Sequence, residues 1–513
     1  MSTHTPIAKP RLFWALLVIP HVLMLAFVTP YTRGIVPDAL ETIVRARDIA
    51  SGSFGQVFLN LHEGALMTTI LSAFLQVFGD WGGEAYIVAQ HLLTILSAYL
   101  LYAIVHSLLA CPKASWGSAV FFNASGMTLA YAHTILSDFW VMFFLLSCIY
   151  LLQRARASMG RPRLMALVVG GVCFAAMVLS KLSPVGLIVF VPVYFLTQYG
   201  FRRETVVLIA VFVVPYVATF VPATLENLKN TGVLWGGDVA TELNHVREFF
   251  ETTVHLVQDG PGEYQDIRAL IASDAAHCED IRDYYCVGFL TSHWHLRTRI
   301  YKILNDRYGV SDPAEQNRIM NAIAIDAVIG SPFEYLKRRS WETVRFSLSW
   351  YSYIAVVHLT EPIRPSFREL YGAGEYEYLL VRAFLHYLNP IYYMQFIWLF
   401  ALGSVFRYRE DPNISRFAYL QLWVPIAYFT FVAISVKWGI DRIRFPAEPF
   451  IYAVAAYGSI WVFRKVKGGL ATYVGDARSS LATSILLMSV YVLTYPVQRV
   501  IALVTGIEIA PDD

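Results

Sequence analysis

The chain has 513 residues, 56% of them hydrophobic and only 15% charged, with a formal net charge of +2. A water-soluble domain needs more charge than this on its surface, so the composition does not fit one. The near-neutral balance, with no basic tract, gives a nucleic-acid partner nothing to bind.

The apolar runs, in chain order, are 12–30, 64–79, 84–107, 117–135, 138–153, 164–180, 184–200, 205–223, 390–406, 416–436, 447–463 and 481–501. Runs of roughly 17–25 residues cross a hydrocarbon core of about 30 Å when helical. They are helical there because lipid offers no water to pair backbone N–H and C=O groups. The first run, Leu12 to Val28, reads as a retained span rather than a signal peptide, since no small-x-small cleavage site follows it. Lys9 and Arg11 hold the N-terminus in the cytoplasm.

Short cytoplasmic loops collect Lys and Arg. The basic short segments are Lys9/Arg11, Lys113, Arg154/Arg156/Arg161/Arg163, Arg202/Arg203, Arg407/Arg409/Arg416 and Arg464/Lys465/Lys467. If every apolar run crossed the membrane, Arg154 to Arg163 would fall outside. If the run 64–79 instead lies on the outer surface, every basic segment falls inside. That run also opens on His62-Glu63 and closes on Gly79-Asp80.

The expected fold is therefore an all-α polytopic membrane protein with about eleven transmembrane helices. Two surface helices, about 37–51 and 63–78, occupy a first outer loop at 31–83, and a large outer loop follows the seventh span. Three regions result: an N-terminal transmembrane module over 1–223, a large outer loop region over 224–389, and C-terminal transmembrane helices over 390–513. The outer region is polar and separately folded to about Arg339, then apolar and aromatic over Trp341 to His358. Cys111, Cys148 and Cys173 lie in or beside spans as packing residues. Cys278 and Cys286 share the outer loop, where either a disulfide or two thiols would fit the spacing.

Ionisable residues near membrane depth are costly and point to function. Asp38, Glu41, His62, Glu63, His133, Asp138, Lys181, Lys437, Asp441, Arg442, Arg444 and Glu448 all fall at outer ends of spans or in outer loops. Carboxylates can take a proton from a hydroxyl or amine, and Arg and Lys can clamp a phosphate at headgroup depth. Plainer readings stand beside this one. Asp38 and Asp138 can be helix N-caps, Lys181 a snorkelling side chain, and His133 an interfacial residue. His62 and Glu63 can cap a helix, and two ligands without a third make no metal site. The stretch Asp441-Arg442-Ile443-Arg444-Phe445-Pro446-Ala447-Glu448-Pro449 is the hardest to read so plainly. A re-entry turn needs its prolines, but not both arginines.

The motifs resemble those of the GT-C glycosyltransferases, in particular bacterial members akin to protein O-mannosyltransferases and to the lipid A aminoarabinose transferase. Pro37-Asp38-Ala39-Leu40-Glu41, then Arg45-Ala46-Arg47 and Ser51-Gly52, looks like that family's acid and first surface helix. Phe78-Gly79 looks like the end of the second surface helix, and Ser137-Asp138 like the opening of a later span. Arg442 to Pro449 is similar to the family's Arg-Tyr-Arg-x-Pro-x-Glu-Pro, and Ser331-Pro332-Phe333-Glu334-Tyr335-Leu336 to a recurrent Pro-x-x-Tyr-Leu. The resemblance covers most of the chain in order and topology. This chain departs from the pattern where Ala39 follows Asp38, where Ile443 replaces Tyr, and where Glu63-Gly64-Ala65 stands in place of a Pro-Pro pair.

The resemblance implies inverting transfer of one sugar from a polyprenyl-phosphate donor to a lipid, glycan or protein acceptor, at the outer face of the bacterial inner membrane. It implies Asp38 as the catalytic residue with Asp138 supporting it. Arg442, Arg444, Lys181 and Lys437 would hold the donor, with Glu63 and Glu41 in the substrate site. No cofactor is expected, and no metal set is visible, although a divalent ion is compatible with the class. The alternatives are a lipid-linked sugar transporter or flippase, or an O-antigen ligase or polymerase.

Overall fold

In a computed structural model, residues 10–27, 37–52, 65–181, 183–231, 253, 256–258, 263–276, 294–337, 339–340, 394–435 and 444–474 are described, and every regular element among them is helical. The N-terminal region holds α1 (Pro10–Phe27), α2 (Pro37–Ala50), α3 (Ala65–Phe78), α4 (Gly82–Leu109), α5 (Pro112–Ala124), α6 (Gly126–Ala132), α7 (Ser137–Ala157), α8 (Arg161–Ser180), α9 (Phe190–Tyr199) and α10 (Arg203–Thr231). The region between residues 231 and 394 contributes α11 (Gln265–Ala276), α12 (Trp294–Tyr308) and α13 (Pro313–Gly330). The C-terminal region adds α14 (Met394–Glu410), α15 (Arg416–Ser435) and α16 (Glu448–Val474).

Ala65–Leu109, Ser137–Ala157, Arg161–Ser180 and Arg203–Pro222 are long and apolar enough to cross a membrane. Their outward faces are apolar too: Leu92, Val172, Val207 and Val214 are all exposed. Helices that are greasy on the outside as well as the inside belong in lipid, and the chain is a multi-pass helical membrane protein. The helix α3 has 14 residues, about 21 Å at 1.5 Å per residue, which falls short of a core of about 30 Å. It packs on α2, α4 and α8. The stretches 341–393 and 475–513, with Trp341 to His358 and the run 481–501, lie outside the described residues, as do Cys278 and Cys286.

One expected span is divided. The run 117–135 becomes α5 and α6, because Ser125 takes an extended backbone (φ −68°, ψ 139°) between them. Its hydroxyl oxygen accepts from the Thr128 N–H at 3.1 Å, capping the new helix. The chain then leaves α6 at His133, four residues before α7 begins.

The basic turns meet at one end. Arg407 of α14 donates to Cys111 Sγ, at the start of α5, over 3.5 Å. Arg163, beside the turn from α7 to α8, pairs with Glu204 of α10 at 3.0 Å. Lys465 of α16 pairs with Glu410 of α14 at 3.2 Å. Helix pairs joined by these turns must bring their other ends together on the opposite side.

Two glycines set the closest crossings. A Cβ on Gly171 would stand 2.1 Å from the Phe212 carbonyl oxygen, and one on Gly458 would stand 1.8 Å from that of Phe400. Lipid gives helices no hydrophobic reason to associate, so close backbone packing through small residues takes over. Gly458→Val should therefore push α16 off α14 and cost about 1–3 kcal/mol or more, read as a fall in thermal stability of the purified protein. An unchanged midpoint would show that the crossing is not this tight.

The helices α11 to α13 carry their own apolar core, with Ile267, Ile271, Ile300, Leu304, Ile319 and Ile323 among its buried residues. Arg268 pairs with Asp326 at 2.7 Å, and Arg307 pairs with Asp266. These helices share an apolar cluster of their own, separate from that of the main bundle.

Candidate functional site

The helices α7 and α8 are antiparallel neighbours joined by a short basic turn, so the start of one lies beside the end of the other. That geometry brings together two residues 43 apart in sequence: Lys181 Nζ donates to Asp138 Oδ1 at 2.6 Å. The Asp138 side chain is 2% exposed and that of Lys181 15%. Asp138 does not cap its helix, since the N-cap of α7 is Leu136 and no side chain bonds there. Nor does Lys181 snorkel: it turns to a buried carboxylate. Removing either charge from such a pair costs more than forming it contributed.

A second pair stands at the start of α16. Arg444 donates from Nε to Glu448 Oε1 at 2.8 Å, with Nη2 at 2.7 Å from the same oxygen, and both side chains are 0% exposed. Between them a 3-10 turn, Phe445–Ala447, carries Pro446, whose fixed φ suits a helix start. Glu448 opens α16, where a carboxylate is favoured by the helix dipole. The turn packs on α7, and Phe445 stacks flat on Tyr131 of α6, with ring centroids 4.0 Å apart.

The same end is tied from two more directions. Tyr428 of α15 donates to the Ser183 carbonyl at 2.6 Å and accepts from the Gly186 N–H at 3.1 Å, anchoring the loop just after Lys181. Leu66, near the start of α3, packs on Leu179, two residues before Lys181. The start of α3 therefore lies beside the end of α8.

Of the residues singled out from sequence, Asp138, Lys181, Arg444 and Glu448 fall into two buried ion pairs at one end of the bundle. Arg444 is engaged with a carboxylate rather than open to solvent. Asp38 is the second residue of α2, inside its first turn rather than at its N-cap, and Glu41 lies one turn on. His62, Glu63, Lys437, Asp441 and Arg442 lie outside the described residues. His133, expected at the interface, is instead fully buried. Sequence reasoning passed over Tyr131, Tyr428, His21, His91 and Gln90. For the histidines a signal was there, because an ionisable residue within an apolar run is unusual. Among the described residues, no group of three or more His, Cys, Asp or Glu side chains is arranged to hold a metal ion.

Two buried polar groups near these elements have atoms without a hydrogen-bond partner: Glu448 Oε2, and both amide atoms of Gln90 on α4. Buried polar atoms are nearly always satisfied, and exceptions point to a ligand or water. The ensemble is two buried ion pairs beside a stacked aromatic pair, with one carboxylate oxygen left to accept a hydrogen bond.

No family model matches the chain, and no curated protein matches it. Among solved structures it is similar to the oligosaccharyltransferase AglB of Archaeoglobus fulgidus in complex with an inhibitory peptide and a dolichol-phosphate, at 14% identity and a TM-score of 0.45, over 95% of this chain and 56% of that one. The chain thus spans little more than half of AglB. It is also similar to ArnT of Cupriavidus metallidurans bound to undecaprenyl phosphate, at 14% identity and a TM-score of 0.37, over 90% of this chain and 79% of that one.

Proposed function

We propose that the chain is an inverting membrane glycosyltransferase with about eleven spans. It moves one sugar from a polyprenyl-phosphate donor to a lipid, glycan or protein acceptor at the outer face of the bacterial inner membrane. The observation that carries this reading is the gathering of Asp138–Lys181 and Arg444–Glu448 at the end of the bundle opposite the basic turns. A transporter would need its ionisable groups near mid-membrane, between repeated halves.

In this reading the donor tail lies among the helices and its phosphate meets Arg442 and Lys437. Arg444 holds the re-entry turn through Glu448 and adds positive potential behind the phosphate. Glu448 Oε2 accepts from a sugar hydroxyl. Asp38 removes the proton from the acceptor as its oxygen or nitrogen attacks C1. The bond from C1 to the phosphate oxygen breaks, and the phosphate leaves with the electron pair. Guanidinium contacts that tighten as this charge develops lower the barrier. Asp138, held by Lys181 in a neutral buried pair, supports the base by fixing the frame of the site, and Glu41 and Glu63 lie at the acceptor side. The outer folded unit closes over the site and selects the acceptor.

The test uses the purified full chain in lipid nanodiscs, radiolabelled polyprenyl-phosphate sugars and a membrane extract. Label should pass into new products, and Arg442→Ala should weaken donor binding by roughly tenfold to a hundredfold, as loss of a charge-assisted phosphate contact would. Absence of binding to every such donor would end the transferase reading.

A further inference from the structure

The helix α13 is apolar on two faces. One face, with Ile319, Met320, Ile323, Ala324 and Ala327, is buried in the core shared with α11 and α12. A helix that buries one face in this way normally turns polar residues to the other. Here Ile325 is 43% exposed and Ile329 72%, and beyond the helix end Phe333 is 84% and Leu336 59% exposed. Ala322 and Pro332 are exposed beside them.

The positions 322, 325, 329, 332 and 336 alternate steps of three and four residues, and with 333 they fall on one stripe about 100° wide. The stripe outlasts α13 because the backbone does. The Ser331 N–H donates to the Ala327 carbonyl and the Tyr335 N–H to that of Ser331, both at 3.1 Å. Pro332 has no N–H to donate, so the bend falls at Ser331 and the line of side chains continues over 332–337. Tyr335 packs on the core, with the Arg339 guanidinium 5.0 Å from its ring centroid. That anchor leaves Phe333 and Leu336 facing outward. From Ala322 to Leu336 the stripe runs about 21 Å at 1.5 Å per residue.

We propose that this stripe is a membrane-docking face, by which α13 and residues 332–337 lie flat on an anionic bilayer surface. Ile325, Ile329, Phe333 and Leu336 then sit at the boundary of headgroups and acyl chains. Reach favours lipid as the occupant. The chain leaves the bundle at α10, whose segment Arg203–Pro222 is long and apolar enough to span, and rejoins it at α14, which packs on α16. Charge favours it too. The stripe ends on Lys337-Arg338-Arg339, and the acids beside it are matched, Asp326 by Arg268 at 2.7 Å and Glu334 by Lys337 at 3.2 Å. A basic run at the end of an apolar face suits anionic headgroups.

Size points the same way. A stable protein interface takes about 20–30 residues a side, far more than this stripe offers. A unit tied to the membrane at both ends needs only a weak contact, because the tether keeps the local concentration of lipid high. The lipid contact rests on the stripe, the charge and the tether alone. Its use rests on the transferase reading, in which docking holds the unit at headgroup depth, where the donor phosphate lies.

The experiment places a photoreactive side chain, Phe333→p-benzoylphenylalanine, in the full chain. The protein is irradiated in nanodiscs of phosphatidylglycerol or of phosphatidylcholine, and the adducts are identified by mass spectrometry. The benzophenone inserts into C–H bonds that touch it, so the adduct names the occupant. Phospholipid adducts are expected, several-fold more in the phosphatidylglycerol discs. Adding Ile329→Ser and Leu336→Ser should cut them roughly tenfold or more. Both side chains are exposed, so the thermal midpoint in detergent should not move. Adducts to residues 341–358 or to a second copy in place of lipid overturn the docking face. So do an absence of adducts, equal yields from the two lipids, or a yield that the double substitution leaves unchanged. Lipid adducts in a chain that transfers from no donor keep the docking face and remove the transferase reading. Transfer without lipid adducts does the reverse.

Discussion

Glu448→Leu is expected to lower the unfolding free energy by about 3–5 kcal/mol, the usual result of removing one partner of a buried ion pair. The Arg444 guanidinium and the Glu448 carboxylate are both sealed from solvent and 2.7 Å apart. With leucine in place of the carboxylate, a full positive charge stays in a low-dielectric interior without the counter-charge that neutralises it. The loss should appear as a drop in the thermal midpoint of the ligand-free protein in detergent. Changing both residues, Arg444→Met with Glu448→Leu, should recover most of it, because two apolar side chains of similar volume leave no charge to solvate. A double variant as unstable as the single one would place the loss in packing around the Phe445–Ala447 turn. A fully stable single variant would mean that the pair is wet. Phe445, stacked on Tyr131, is the first neighbour to feel a shift of the turn, so tyrosine fluorescence offers a second readout.

Asp38→Asn is expected to reduce sugar transfer by roughly 10²–10⁴-fold, the range that a positioned general base contributes. The amide matches the carboxylate in shape, and Asp38 lies in the first turn of α2, not at its cap. Helix stability should therefore change little. Donor binding should persist, because the proposed mechanism assigns the phosphate contacts to Arg442 and Lys437. Initial rates at saturating donor, with donor binding measured separately, separate the two effects. A wild-type rate in this variant would remove Asp38 from the chemistry. A loss confined to donor affinity would make it a binding residue instead.

Much of this architecture was readable from the sequence, because lipid leaves the chain few choices. Apolar length and backbone pairing make helices, and the positions expected for α2, α3, α7, α8, α14 and α15 lie close to those observed. Charge asymmetry was equally informative. Assigning the run 64–79 to a surface helix put all the basic turns on one side, and Arg407–Cys111, Arg163–Glu204 and Lys465–Glu410 join such turns in pairs. Four of the residues singled out from sequence, Asp138, Lys181, Arg444 and Glu448, pair with one another at one end of the bundle. The split of 117–135 was not legible, because it depends on one hydroxyl at Ser125 competing with the helix for the Thr128 N–H. Such local competition is decided by what the neighbouring helices require.

The sequence by itself determined that this is a helical membrane chain and roughly where most of its apolar helices lie. Those properties follow from hydropathy and charge, which act on each segment separately. Only the tertiary structure decided who meets whom. Lys181 reaches Asp138 across 43 residues, and His21 reaches His91 across 70. A buried charge or imidazole has no water to turn to, so its partner is whichever polar group the packing of distant helices brings within about 3 Å. That is a property of the assembled bundle, written in no single stretch of the chain.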